Sequence, residues 1–133
     1  NQARRALNEG FATVGTDTGH QGQAFLAEWA LNDLERQLNF GHLGVHRVAE
    51  TAKAIIRHYY RADIERSYFN GCSNGGRQGL IEAQRYPDDF DGIVANAPWV
   101  DQTGFTIGAM WNQRALTEAP ASPSAGSACV MLS

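Results

Sequence analysis

The sequence predicts an α/β fold: a parallel sheet whose strands are joined by crossover helices. Three observations carry that expectation. Short apolar runs alternate with longer segments of helical periodicity in the order strand, helix, strand, helix, strand. One strand–helix junction is a glycine-bounded turn with a serine at its centre, Gly71-Cys72-Ser73-Asn74-Gly75-Gly76. The composition, 43% hydrophobic and 19% charged over 133 residues, belongs to a globular domain of ordinary size rather than to a disordered chain.

Taken in order, residues 2–8 read as the end of a helix closed by Gly10. Residues 11–16 (FATVGT) read as a short buried strand, followed by the polar loop 17–23. Residues 25–38 are ambiguous, because Trp29, Leu31, Leu34 and Leu38 give only weak helical periodicity. The clearest helix spans Gly44–Tyr60: Val45, Val48, Ala49, Ala52, Ile55, Ile56 and Tyr59 recur at intervals of three and four. Residues 64–70, rich in Tyr and Phe, read as a strand. A second helix, Asn74–Arg85, stops before Pro87. Residues 91–96 (DGIVAN) read as the next strand. From Ala119 the composition shifts to Ala, Ser, Pro and Gly, so residues 1–118 read as the domain and 119–133 as an unassigned tail.

Several function classes lose their support at this level. A formal charge of −3 gives no electrostatic case for nucleic acid or an anionic membrane. No apolar run approaches the roughly 20 residues that span a bilayer. The two cysteines, Cys72 and Cys129, do not make a disulfide framework, and no Cys or His pair has zinc-ligand spacing, so no metal site is expected. The chain opens Asn1-Gln2-Ala3-Arg4-Arg5 without Met or an apolar leader, and reads as an internal piece of a longer chain.

The glycine-bounded turn matches the G-x-S-x-G nucleophile elbow of the α/β-hydrolase fold, with strand before and helix after. So tight a turn expects glycine two positions either side of the serine, at Gly71 and Gly75, because side chains there would collide. Ser73 is the candidate nucleophile. The backbone N–H of Asn74, first in the helix and without an intrahelical partner, is the candidate oxyanion donor. Ser73 needs a general base, and fold order places acid and then histidine after the serine. His20, His42, His46 and His58 all precede it. His46 and His58 read as structural or surface groups. His20 is a candidate to line the site from its loop, although a loop histidine is more often a local hydrogen-bonding residue. Among acids after Ser73, Glu82 lies within the departing helix, Asp88 and Asp89 form a turn, and only Asp101 follows a strand at its carboxyl end.

Residues 68–80 (YFNGCSNGGRQGL) and 82–98 (EAQRYPDDFDGIVANAP) resemble the tannase and feruloyl esterase family. Gly10-Phe11-Ala12, residues 16–20 (TDTGH), Val45-His46 and Ala52-Lys53 are similar to it as well. The resemblance implies a Ser-Asp-His ester hydrolase, secreted or periplasmic, taking small esters of aromatic acids. It implies Ser73 as nucleophile, the Asn74 N–H as oxyanion donor, and a disulfide from Cys72 to a cysteine beside the catalytic histidine. Cys129 has no histidine next to it, so the partner of Cys72 is expected outside this chain. The family's acid, histidine, calcium-bearing lid, later strands and second oxyanion donor are likewise expected outside it, so the chain itself calls for no cofactor. On this reading it is part of an α/β-hydrolase sheet, incomplete as an esterase. Two alternatives stand beside it: a truncated, non-catalytic hydrolase-like protein, and a peptidase of the same fold, against which Cys72-Ser73 and Arg77-Gln78-Gly79 argue.

Overall fold

The structure, a computed structural model, describes residues 2–23 and 26–118. The tail from Ala119, with Cys129, lies outside the described residues. Two compact units are present, Asn1–Trp99 and Val100–Ser133.

The first unit contains helix α1 (Gln2–Asn8), a 3₁₀ turn (Glu28–Ala30), the short helix α2 (Leu34–Leu38), a π-helical turn (Asn39–Leu43), helix α3 (Gly44–Tyr60), strand β1 (Tyr68–Cys72), helix α4 (Asn74–Arg85) and strand β2 (Gly92–Asn96). The strands pair in parallel, with Tyr68 opposite Gly92 and Cys72 opposite Asn96. Helix α4 is their crossover and packs on both, as a parallel pair requires. Helices α3 and α4 have the bounds that the periodicity predicts.

Helix α4 lies close to the sheet because its facing positions lack side chains. A Cβ on Gly79 would stand 3.1 Å from Ile93 Cγ2 and 3.2 Å from Phe69 Cδ1. The start of β1 is closed by a reciprocal pair: the Ser67 N–H donates to Asp91 Oδ2 at 2.7 Å, and the Asp91 N–H to the Ser67 carbonyl at 2.8 Å. The ladder therefore begins at Tyr68, later than the predicted start at residue 64.

Two expectations are corrected. Residues 11–16 form no strand: they are exposed and in no ladder, and an extended segment without a paired neighbour has no strand hydrogen bonds. The Phe11 ring still meets Tyr68 of β1 edge-on, at 6.3 Å between centroids. The apolar face of α3 is fully buried only in its first half. Among the described residues, Val45 and Ala49 are the buried apolar residues of the core, whereas Ile55 and Tyr59 are 62% and 77% exposed. Among the described residues, the second unit consists of helix α5 (Gln102–Glu118), which the sequence reading leaves unassigned. No helix among the described residues is long and apolar enough to cross a membrane.

Candidate active site

At the end of β1 the chain turns directly into α4, with Ser73 at the apex. Its backbone sits at φ 58° and ψ −115°, a region costing a non-glycine residue about 1–3 kcal/mol. Three hydrogen bonds hold it there. The Ser73 N–H donates to the Asn96 carbonyl at 3.1 Å, tying the apex to the end of β2. The Ser73 carbonyl accepts from the Arg77 N–H at 3.0 Å and the Trp99 N–H at 3.1 Å. The backbone is thus fixed from three sides while the residue stays exposed.

The glycine requirement differs from the motif in one position. A Cβ on Gly71 would lie 2.3 Å from the Gly75 carbonyl oxygen, so Gly71 is needed. A Cβ on Gly75 would meet nothing within 4 Å. What α4 needs next is Gly76, where a Cβ would stand 2.5 Å from the Asn96 oxygen and 2.8 Å from Pro98 Cα. Gly75 matters through its backbone, which passes beneath Gly71. Gly76 matters because the helix runs against the end of β2.

Asn74 opens α4, with its N–H outside the intrahelical ladder. Its side-chain Oδ1 accepts from Arg77 Nε at 2.8 Å. The same guanidinium donates to the Phe40 carbonyl at 2.9 Å and the Gly41 carbonyl at 3.1 Å, and lies 4.9 Å from the Phe40 ring centroid. Burial pulls the Arg77 pKa below its usual value. Behind Phe40, His20 stacks on Trp29 at 3.9 Å and meets Phe40 edge-on at 5.5 Å. The loop carrying His20 reaches this place because Gly44 is bare: a Cβ there would stand 3.2 Å from Thr18 Cα.

The profile of the tannase and feruloyl esterase family matches residues 1–130. The chain belongs to this family. It is 43% identical over 114 residues to a probable feruloyl esterase of Arthroderma benhamiae, covering 81% of this chain and 21% of that protein. An uncharacterized esterase of Agrobacterium fabrum is 39% identical over 102 residues, covering 76% and 18%. Feruloyl esterase B of Aspergillus niger is 42% identical over 92 residues, covering 69% and 17%. The chain thus spans about a fifth of the length of these relatives. No solved structure matches it.

In this tannase-family chain three of the four histidines are engaged away from the apex. His46 Nδ1 is 2.7 Å from Asp89 Oδ2, and its ring stacks on Tyr86 at 4.0 Å. His42 Nδ1 is 2.8 Å from the Tyr86 hydroxyl. His20 packs among aromatic rings, with Thr18 Oγ1 at 3.5 Å, long for a hydrogen bond. His58 is exposed on α3. Among the described residues, none is hydrogen-bonded to Ser73.

The acids are also employed elsewhere. Asp89 is held by His46, and Lys53 donates to its carbonyl. In the second unit, Asp101 Oδ1 accepts from the Gly104 N–H at 3.0 Å, the bond of a helix cap to α5. Among the described residues, Glu82 is the most deeply buried charged one, 1% exposed, and its Oε2 has no hydrogen-bond partner there. Burial first, then the neighbouring Asp89 carboxylate, raise its pKa from 4.5 to about 7, against a smaller opposing effect of His46. Cys72 is exposed beside Ser73.

The sequence reading missed the Arg77 bridge and the burial of Glu82. One signal was available for Arg77, a cation three residues after the elbow asparagine on the same helical face. Its two carbonyl partners lie 36 and 37 residues away, and no local pattern points to them.

Proposed function

We propose that this chain carries the nucleophile segment of a serine carboxylic ester hydrolase, acting on small esters of aromatic acids of the feruloyl or galloyl type. The observation that carries the reading is Ser73, pinned at φ 58° on a strand–helix apex with the residue exposed, in a chain of this family. Residues 1–118 form the central part of the catalytic domain. The Ser73 hydroxyl attacks the ester carbonyl carbon and its proton passes to a base. The Asn74 N–H donates to the oxyanion that forms. Collapse breaks the bond to the alcohol, which leaves with that proton, and water then releases the acid from the acyl-serine. Base, orienting carboxylate, second oxyanion donor and the cysteine partner of Cys72 come from parts of the enzyme beyond this chain. The enzyme is secreted or periplasmic.

The test is Ser73→Ala in the full-length enzyme, assayed on methyl ferulate and methyl gallate. Turnover should fall by about three orders of magnitude or more, and labelling by a fluorophosphonate should disappear. A variant that keeps more than about a tenth of the activity removes Ser73 from covalent catalysis.

A further inference from the structure

We infer that Trp99 is a positioning residue for the oxyanion donor, acting through its backbone N–H. The inference rests on the esterase reading of Ser73 and Asn74. The Asn74 N–H and the Ser73 carbonyl belong to one planar peptide unit and point in opposite directions. Whatever fixes the carbonyl therefore aims the N–H. The Arg77 N–H reaches that carbonyl at 3.0 Å as the first bond of the α4 ladder, which any helix start has. A single bond of this kind leaves the peptide plane free to rock about it. The Trp99 N–H, at 3.1 Å, is a second donor on the same oxygen, from outside the helix. A carbonyl oxygen has two lone pairs, and with both engaged the plane is set.

Residues 96–99 hold Ser73 on both sides. The Asn96 carbonyl accepts from the Ser73 N–H, and the Trp99 N–H donates to the Ser73 carbonyl. The first bond fixes the peptide plane before Ser73 and the second fixes the plane after it. One segment thus sets both where the nucleophile's backbone stands and where the Asn74 N–H points. Between the two bonds, Ala97 sits at φ 37°, a left-handed conformation that a side chain disfavours. Pro98 follows, with φ locked by its ring and no N–H of its own to compete for the carbonyl. Its Cα lies against the first turn of α4, where a Cβ on Gly76 would stand 2.8 Å away. A strained turn persists where its surroundings over-determine it. Here the strained turn delivers one N–H to the peptide unit that carries the oxyanion donor.

The experiment uses the full-length enzyme carrying the α-hydroxy analogue of tryptophan in place of Trp99. The exchange keeps the indole and replaces the amide N–H by an ester oxygen, which cannot donate. Methyl ferulate is the substrate, active molecules are counted by fluorophosphonate titration, and Ser73→Ala is measured alongside. Loss of a whole oxyanion donor costs about a hundredfold to a thousandfold in kcat. With the Arg77 bond remaining, kcat per titrated site should fall by about tenfold to a hundredfold. KM should stay within about twofold, because ground-state binding is untouched. The trifluoromethyl ketone analogue of methyl ferulate, whose adduct with Ser73 carries the oxyanion, should lose affinity by the same factor as kcat. A merely structural bond would lower the amount of titrated enzyme and leave both per-site values unchanged, and that result overturns the inference. So does a loss confined to KM, or a fall in kcat without a matching loss of ketone affinity. If the ester-bearing enzyme does not fold, Pro98→Gly, which releases the lock on φ next to the donor, carries the test. A joint several-fold loss in kcat and ketone affinity then supports the role of Trp99, and unchanged values overturn it. An active Ser73→Ala would overturn the esterase reading itself, whatever the ester does.

Discussion

Alanine at each of three glycines around Ser73 should change stability with different signs. Helix α4 begins at Asn74, so Gly75 and Gly76 are both helical, and a Gly→Ala exchange there gains about 0.8–1 kcal/mol from backbone entropy alone. At Gly75 nothing lies within 4 Å of the new Cβ, so that gain stands uncompensated. At Gly76 the new Cβ would sit 2.5 Å from the Asn96 oxygen, nearly an ångström inside ordinary contact. The obstacle is backbone and cannot rotate away. The Asn96 oxygen is also the acceptor of the Ser73 N–H, so pushing it back stretches the bond that pins the apex. Overpacking of this kind costs about 1–3 kcal/mol, and the upper part of that range applies where backbone must move. The helical gain is common to both, so Gly76→Ala should unfold more easily than Gly75→Ala by the overpacking cost, about 2–3 kcal/mol. Gly71→Ala, with its Cβ 2.3 Å from the Gly75 oxygen, should resemble Gly76→Ala. Urea denaturation measures this as a shift of midpoint at constant slope. If Gly75→Ala lowers the midpoint as much as Gly76→Ala, the assignment of the tight approach to Gly71 and Gly76 is wrong.

Ser73→Gly should raise the unfolding midpoint by about 1 kcal/mol, because glycine tolerates φ 58° without the Cβ penalty; a lowered midpoint would show that the apex is not strained. Glu82, with its folded pKa raised to about 7 from 4.5, holds a proton in the folded state that the unfolded chain has lost, so stability should fall as pH rises between those values and level off above. Glu82→Gln should flatten that fall and be more stable at pH 8, by up to about 3 kcal/mol; an unchanged stability–pH curve would show that Glu82 titrates normally. The 133-residue chain expressed alone should not turn over methyl ferulate, and it should associate through the exposed Tyr68, Val94, Ile55 and Tyr59, as light scattering would reveal. A monodisperse monomer would contradict the second expectation.

Helices α3 and α4 were legible because helical periodicity and stop signals are local: Gly44–Tyr60 and Asn74–Arg85 have the bounds that their spacing dictates. The parallel pairing of β1 with β2 followed from the length of the crossover between them. Residues 11–16 show the limit of this reading. Their apolar content fits a strand, but a strand exists only with a partner, and sequence does not report which edges are paired. The face of α3 shows the same limit, since Ile55 and Tyr59 share a periodicity with Val45 and Ala49 but not their neighbours.

By itself, the sequence determined that a serine stands at a strand–helix apex, and its residues 68–98 carried the resemblance to the family. Both are properties of contiguous residues whose conformational preferences act over a few bonds. Only the tertiary structure decided which glycines are crowded, because crowding comes from whatever chain passes nearby, and for Gly76 that is Asn96 and Pro98. It likewise decided that Arg77 joins Asn74 to the carbonyls of Phe40 and Gly41, and that Glu82 is buried beside Asp89. The hydrogen bonds of Arg77 depend on carbonyls 36 and 37 residues away in the chain, and these meet only when the fold closes.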